Sequence, residues 1–294
     1  MEHRPLGTSG IEVSVVGLGC NNFGGRLDLA GTRRVVDAAL DAGIDFLDSA
    51  DIYGNKGDSE RFLGDVLEGR RDRVVLATKF GHDMGDGQTA RGTLEYARRA
   101  VDASLARLRT DRVDLLYYHR PDGVTPIGET VEALEQLQRE GKTRATACSN
   151  LDAAQLGEVG RRIAALQNEY SLLERGDDAE VLPLCRDLGV SYIPYFPLAS
   201  GLLTGKHRRG GIAPGSRLEG REIPDERFNR VETLERFAAE RGHTLLELAF
   251  AGLLSQNVIA SVIAGATKPE QVQANVAAAE WRLTDDELAA LARI

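Results

Sequence analysis

Eight short runs of β-branched or leucine-rich residues alternate with longer segments of helical period along all 294 residues, and few folds accommodate that alternation. The expected strands are VSVVGLG (13–19), DFLDSA (45–50), RVVLATKF (73–80), DLLYYH (114–119), TRATACS (143–149), IAALQNE (163–169), VSYIPYF (190–196) and VIASVIAG (258–265). The clearest helix between them places Leu94, Ala97, Val101, Leu105 and Leu108 on one face at offsets of three and four. Other helices are expected to start near Thr32, Ser59, Ile127, Asp152, Asp177, Pro269 and Thr284. Asp177 and Thr284 each precede a glutamate by three residues, the capping-box spacing that satisfies free amide groups. No linker rich in Pro, Gly or Ser divides the chain. A doubly wound sheet more often has fewer strands and a switch point, so the pattern predicts a single (β/α)8 TIM barrel over residues 1–294. RPLGTSGIEVS, ahead of the first strand, predicts a hairpin closing the barrel floor. Residues 198–226, after strand seven, are too long for a routine turn and read as a functional loop.

Hydrophobic residues make up 42% of the chain and charged residues 28%, which is enough apolar material for a full core. A formal charge of −9 argues against a general binder of nucleic acid or acidic membranes, because those partners need a basic face. Cys20, Cys148 and Cys185 are odd in number and far apart, which suits reduced core thiols in a cytoplasmic protein. The start of the chain lacks a basic-then-apolar leader, and runs such as LAFAGLL are too short to span a bilayer. The five histidines, His3, His82, His119, His207 and His243, include no pair at ligand spacing, so no metal is expected. GLGCNNFGG has Gly17 and Gly19 but Asn22 at the third required position, which excludes a Rossmann loop.

In a barrel of this kind the chemistry gathers at the carboxyl ends of the strands. Strand two ends at Asp48 and runs into Tyr53, strand three ends near Lys79, and strand four ends at His119. Each alone has an ordinary reading as a turn cap, a packing ring, a solvated charge or a structural imidazole. Four such groups on one rim divide labour instead. A phenol with a pKa near 10 is a weak acid at neutral pH and needs a cation to stabilise its anion. At about 4 Å and an effective dielectric of about 20 a unit charge is worth roughly 4 kcal/mol, so Lys79 is expected to lower the Tyr53 pKa. Asp48 keeps that lysine charged and aimed, and His119 is placed to donate a hydrogen bond to a carbonyl.

DSADIYG, ATKFG, YYHRPD, ALEQLQREGKTRATACSN, LQNEYSLL, YFPLASGLLTGK and GATKPEQVQAN occur in this order after the GLG of the first strand. In that set the chain resembles the aldo-keto reductases, specifically the group of bacterial reductases and potassium-channel β-subunit-like proteins, over nearly its whole length. The resemblance implies that Asp48, Tyr53, Lys79 and His119 form a catalytic tetrad. Tyr53 would give a proton to a carbonyl that takes hydride from a nicotinamide. It further implies that Ser149, Asn150 and Gln167 hold the carboxamide and that Tyr195 stacks on the ring. Pro197, Leu198, Gly201, Leu202 and Lys206 would form a belt over the pyrophosphate, and Gly265, Thr267, Lys268, Gln271 and Asn275 would meet the adenosine end. The implied cofactor is NADPH, with NADH as the other candidate. Many relatives carry a basic residue where Ala266 and Thr267 stand, and an arginine in the belt where this chain has Ser200. Asn22 and Phe23 are expected on the substrate rim. Trp281, the sole tryptophan, lies before the last helix, so a polar carbonyl compound is the preferred partner. Two rivals remain: a cofactor-sensing module with slow turnover, and a Schiff-base aldolase using Lys79.

Overall fold

The computed structural model describes residues 1–294. Eight parallel strands lie in one sheet: β3 (Val16–Gly19), β4 (Phe46–Asp48), β5 (Val75–Phe80), β6 (Val113–Tyr118), β7 (Thr143–Ser149), β8 (Ala165–Glu169), β9 (Ser191–Tyr195) and β10 (Val262–Gly265). They are ordered β10-β3-β4-β5-β6-β7-β8-β9, and a parallel bridge between Tyr192 and Ile259 closes the ring. This is the expected (β/α)8 barrel. The antiparallel hairpin of β1 (His3–Pro5) and β2 (Glu12–Ser14) precedes it.

The core explains why the strands read as continuous apolar runs. All six residues of β6 are buried, Leu115 and Tyr117 in the inward core and Val113, Leu116 and Tyr118 against the helices, so no alternation of apolar with exposed polar residues survives. The inward cluster joins Phe46, Leu115, Tyr117, Ala147 and Ile193 to Leu6, Ile11 and Val13 of the hairpin segment, which therefore plugs the floor. The outward cluster packs against α1 (Leu29–Asp41), α2 (Tyr53–Val66), α3 (Leu94–Leu108), α4 (Ile127–Arg139), α5 (Ala153–Val159) and α6 (Val181–Leu188). In α3 the expected stripe is buried at Ala97, Val101 and Leu108.

Several boundaries differ from the sequence reading, each for a local reason. The run 13–19 breaks at Val15, because the Ser14 hydroxyl turns onto the Val16 carbonyl at 2.8 Å while its N–H donates to Asp45 at 2.8 Å. Asp177 caps no helix. Its carboxylate accepts from the buried Tyr192 hydroxyl at 2.7 Å and from Asn168 at 2.8 Å, and α6 begins only at Val181. A buried phenol that needs an acceptor outweighs an optional cap. Thr284 does form the expected capping box, with Glu287, at the head of α10 (Asp285–Leu291). Two helices were not anticipated, α7 (Asp225–Ala239) and α8 (Leu245–Leu254). α8 starts with a box of its own, Thr244 with Glu247. The last barrel helix, α9 (Pro269–Ala278), has Pro269 in its first turn as expected. Cys20, Cys148 and Cys185 are buried and unpaired, and no helix is long and apolar enough to cross a membrane.

Candidate active site

The four rim groups meet at the carboxyl ends of neighbouring strands. Lys79 is fully buried in β5, and its ammonium donates to the Asp48 carboxylate and, at 2.9 Å, to the Ser49 carbonyl. The other Asp48 oxygen accepts from Gln167 Nε2 of β8 at 3.0 Å, so the carboxylate is clamped from two sides. Lys79 Nζ lies 5.2 Å from the centre of the Tyr53 ring, and that ring meets His119 edge-on with centroids 5.9 Å apart.

What aims Tyr53 is an unusual turn. Gly54, Asn55, Lys56 and Gly57 all have positive φ, from 56° to 122°, before α2 becomes regular. At Gly54 a Cβ would lie 2.2 Å from the Phe23 carbonyl oxygen, so no larger residue fits. Asn55 and Lys56 tolerate their strain because their side chains donate to the Gly24 carbonyl at 2.9 Å and the Met84 carbonyl at 2.6 Å.

Electrostatics correct one expectation. Burial raises the Tyr53 phenol above its ordinary value; the Lys79 charge pulls the other way, Asp48 adds to the rise, and the net direction is up rather than down. Burial also works against the Lys79 ammonium, but the Asp48 carboxylate and Tyr53 outweigh it and hold the lysine charged. His119 is held well below the usual imidazole range by burial, then by Lys79, His82 and Arg120. Near neutral pH the site therefore presents a protonated phenol, an ammonium and a neutral imidazole.

These groups open onto a cavity of about 830 Å³, within the range of cofactor sites. Asp48, Tyr53, His119, Ser149, Asn150 and Gln167 line its base. Tyr195, Pro197, Leu198, Gly201 and Lys206 line one wall, and Gly265, Thr267, Lys268, Gln271 and Asn275 line the outer end. Lys79 sits behind the base. Asn22 lines the cavity, but Phe23 is fully buried in the outward core, because the chain folds back through Arg26 and Leu27 N–H bonds to the Asn22 carbonyl. Leu202 is likewise no part of the wall: its side chain joins a second apolar cluster with Phe228, Leu234 and Leu248.

The sequence reading missed Arg26 and Arg217. Arg217 Nη2 donates to Asn21 Oδ1 at 2.6 Å and Asn22 Oδ1 at 3.0 Å, and its guanidinium lies 5.7 Å from the Phe196 ring centre. Arg26 donates to the Gly215 carbonyl. Together they strap the loop after β9 across the mouth to the end of β3. The arginines within that loop were the available signal.

The lining suits a dinucleotide with anionic phosphates. Arg26, Arg120, Lys206, Arg217 and Lys268 face the cavity, whereas the acid among its lining residues, Asp48, is already paired with Lys79. At Gly201, with φ 104°, a Cβ would lie 3.2 Å from Lys206 Cε, so the lysine stem packs against bare backbone in a conformation that favours glycine. Asn150, with φ 60°, is locked by donating to the His119 carbonyl at 2.9 Å and accepting from the Tyr195 hydroxyl at 2.8 Å. One hydrogen-bonded chain thus joins Tyr195, the expected ring platform, to the backbone of His119 at the rim.

Comparison with known proteins gives the same picture. The model of the aldo/keto reductase family matches residues 15–294. A probable voltage-gated potassium channel subunit beta of Arabidopsis thaliana is 34% identical, over 95% of this chain and 92% of that protein. An NADH-specific methylglyoxal reductase of Escherichia coli is 36% identical, over 97% of this chain and 95% of that protein. The holo form of aldo-keto reductase AKR11C1 from Bacillus halodurans superposes with a TM-score of 0.86 at 34% identity, covering 100% of this chain and 96% of that one. On this match of sequence and fold, the chain belongs to the aldo/keto reductase family.

Proposed function

We propose that the chain reduces an aldehyde or ketone to an alcohol using NADPH, with Tyr53 as proton donor and His119 as carbonyl orienter. Membership of the family supplies the coarser part, a nicotinamide-dependent carbonyl oxidoreductase. The observation that carries the finer part is the buried Lys79 ammonium, held by Asp48 and placed 5.2 Å from the Tyr53 ring at the cavity base. A bound reduced nicotinamide supplies the hydride. The protein's side chains do the rest. His119, neutral and at the rim, donates to the carbonyl oxygen and polarises it. Tyr53 is protonated before reaction and gives its proton to the developing alkoxide, a far stronger base than a phenolate. Lys79 stabilises the phenolate left behind, so its charge acts where charge appears. Tyr195, Asn150, Ser149 and Gln167 orient the ring, and Lys206 and Lys268 answer the phosphates.

Lys268, at the N-cap of α9 and exposed, is proposed to meet the 2′-phosphate. Lys268→Ala should then weaken NADPH by about 1.4–2.8 kcal/mol, roughly 10- to 100-fold, with NADH little changed. Fluorescence titration of both cofactors measures this; equal losses would move Lys268 to the pyrophosphate.

A polar substrate fits a mouth built from Asn22, Arg217, Arg120 and His82. Trp281 supplies no aromatic wall, since it stacks on His243 at 3.9 Å and packs with the second apolar cluster. A screen of carbonyl compounds with both cofactors, read at the reduced-nicotinamide absorbance, tests the assignment. Tight cofactor binding with negligible turnover on every compound would favour the sensing module, a reading that the resemblance to the Arabidopsis channel subunit keeps open. The aldolase reading loses its basis, because an ammonium kept charged by Asp48 is a poor nucleophile.

A further inference from the structure

Behind the wall that carries Tyr53 lies a second charged cluster, which the chemistry above does not use. Asp51 is 2% exposed and Glu60 is fully buried. Both Glu60 oxygens are engaged, one by the Thr78 hydroxyl and the other by Arg107 Nε at 2.7 Å. Arg107 also donates to Ser104 Oγ at 3.1 Å. Asp51 differs, because its Oδ1 is buried without a hydrogen-bond partner. Asp51 makes no ion pair, and the two nearby cations, Arg107 and Lys79, are already matched by Glu60 and Asp48.

With both acids ionised, this cluster would bury one uncompensated negative charge, which is costly in a dry interior. One bound proton removes it. Its place is Asp51, because Glu60 is held as an acceptor on both oxygens.

The cluster is mechanically joined to the proton donor. The Asp51 N–H donates to the Lys79 carbonyl at 3.0 Å, and the Tyr53 N–H donates to the Ala50 carbonyl at 3.1 Å. The left-handed turn after Tyr53 rests on Arg107: a Cβ at Gly57 would lie 2.7 Å from Arg107 Cδ. Glu60 in turn anchors that arginine.

We propose that Asp51, Glu60 and Arg107 form a one-proton cluster that positions the Tyr53 turn, and that loss of the Asp51 proton slows proton donation by Tyr53. The inference rests on Tyr53 as the donor. Asp51 is a positioning residue, since it acts through Lys79, Arg107 and the turn. An added buried negative charge opposes formation of a second one on the phenol and competes with Glu60 for Arg107. The groups facing Asp51 are Glu60 from α2, Arg107 and Tyr96 from α3, and Lys79 from β5. Burial, then Glu60, push Asp51 up to about 8, against the pull of Arg107, the Ile52 N–H and Lys79. The folded value lies above the unfolded one, so the fold holds a proton that the unfolded chain releases. Stability thus falls as pH rises through the window that ends near 8.

Two readouts test this. The first is the rate of 4-nitrobenzaldehyde reduction at saturating NADPH, followed across pH. It should fall roughly tenfold between about pH 7 and about pH 9 in the parent, as one group of pKa about 8 loses its proton, and Asp51→Asn should flatten that limb. A uniform rate loss with the limb intact would mean that Asp51 is only structural and would overturn the proposal. The second is the melting midpoint against pH with cofactor absent, which does not depend on turnover. Its decline toward pH 8 should vanish in Asp51→Asn and shift to lower pH in Glu60→Gln, where Arg107 is freed to pair with Asp51. An unchanged decline in both variants overturns the one-proton cluster. No turnover of any carbonyl by the parent, with the melting shifts as expected, would instead count against the reductase reading.

Discussion

Tyr53→Phe should lower the rate of carbonyl reduction by about 10²- to 10⁴-fold, the range for losing a positioned general acid, while cofactor affinity stays within about twofold. The substitution keeps the ring that meets His119 at 5.9 Å and leaves Lys79 bound to Asp48 and to the Ser49 carbonyl. Only the hydroxyl is lost, so the fold should change by about 1 kcal/mol or less. Single-turnover rates and cofactor titration on the same sample separate the two quantities. A variant that reduces carbonyls at the parental rate would show that another group, or water, provides the proton. The neutral state of His119 sharpens the test. Because burial and Lys79 keep this imidazole well below its ordinary range, it stays neutral through neutral pH, and in the proposed reaction the acid's part is left to Tyr53.

Much of this was legible in the sequence, and the misses share a cause. Strands such as β6 announce themselves because residues buried on either face are mostly apolar, and the one buried charge in β6, Asp114, is paired with Arg71 and Arg144. Asp48, Tyr53, Lys79 and His119 were legible because a barrel fixes where strand ends point. Phe23 was misplaced because proximity to a strand end says nothing about the return turn that swings an apolar ring back into the core. Leu202 failed similarly, since the loop after β9 buries its leucines in a cluster with α7 and α8, helices that had not been foreseen. Arg217 was missed for the converse reason. The loop's arginines signalled a basic segment, but the position of Arg217 over Asn21 and Asn22 depends on nearly two hundred intervening residues closing the barrel, so the partners could not be named. The direction of the Tyr53 shift was missed because a pairwise Coulomb argument includes the lysine but not the dehydration of the phenol, which is the larger effect here. Asp51 belongs to the same class, since burial and then Glu60 raise its carboxyl against the pull of Arg107, and those two residues come from different helices.

Lys79→Met should lower stability by about 3–5 kcal/mol, the cost of leaving one member of a buried ion pair unmatched, and should remove turnover as well. Lys79 is fully buried and Asp48 is 3% exposed, so without the ammonium the carboxylate keeps only Gln167 as its side-chain partner. The double variant Asp48→Asn with Lys79→Met removes both charges and should regain most of the stability, because a neutral amide and a thioether carry no such penalty. Turnover should not return with it, since the phenolate formed at Tyr53 would still lack a cation. Denaturant unfolding and initial rates on the parent, Lys79→Met, Asp48→Asn alone and the double variant complete the cycle. Stability lost in the single variant and restored in the double, with activity absent from both, assigns the lysine two separate roles: compensating Asp48 in the resting fold, and stabilising Tyr53 when the proton leaves. If activity recovered along with stability, Lys79 would serve the fold alone, and the acidity of the phenol would have to come from elsewhere.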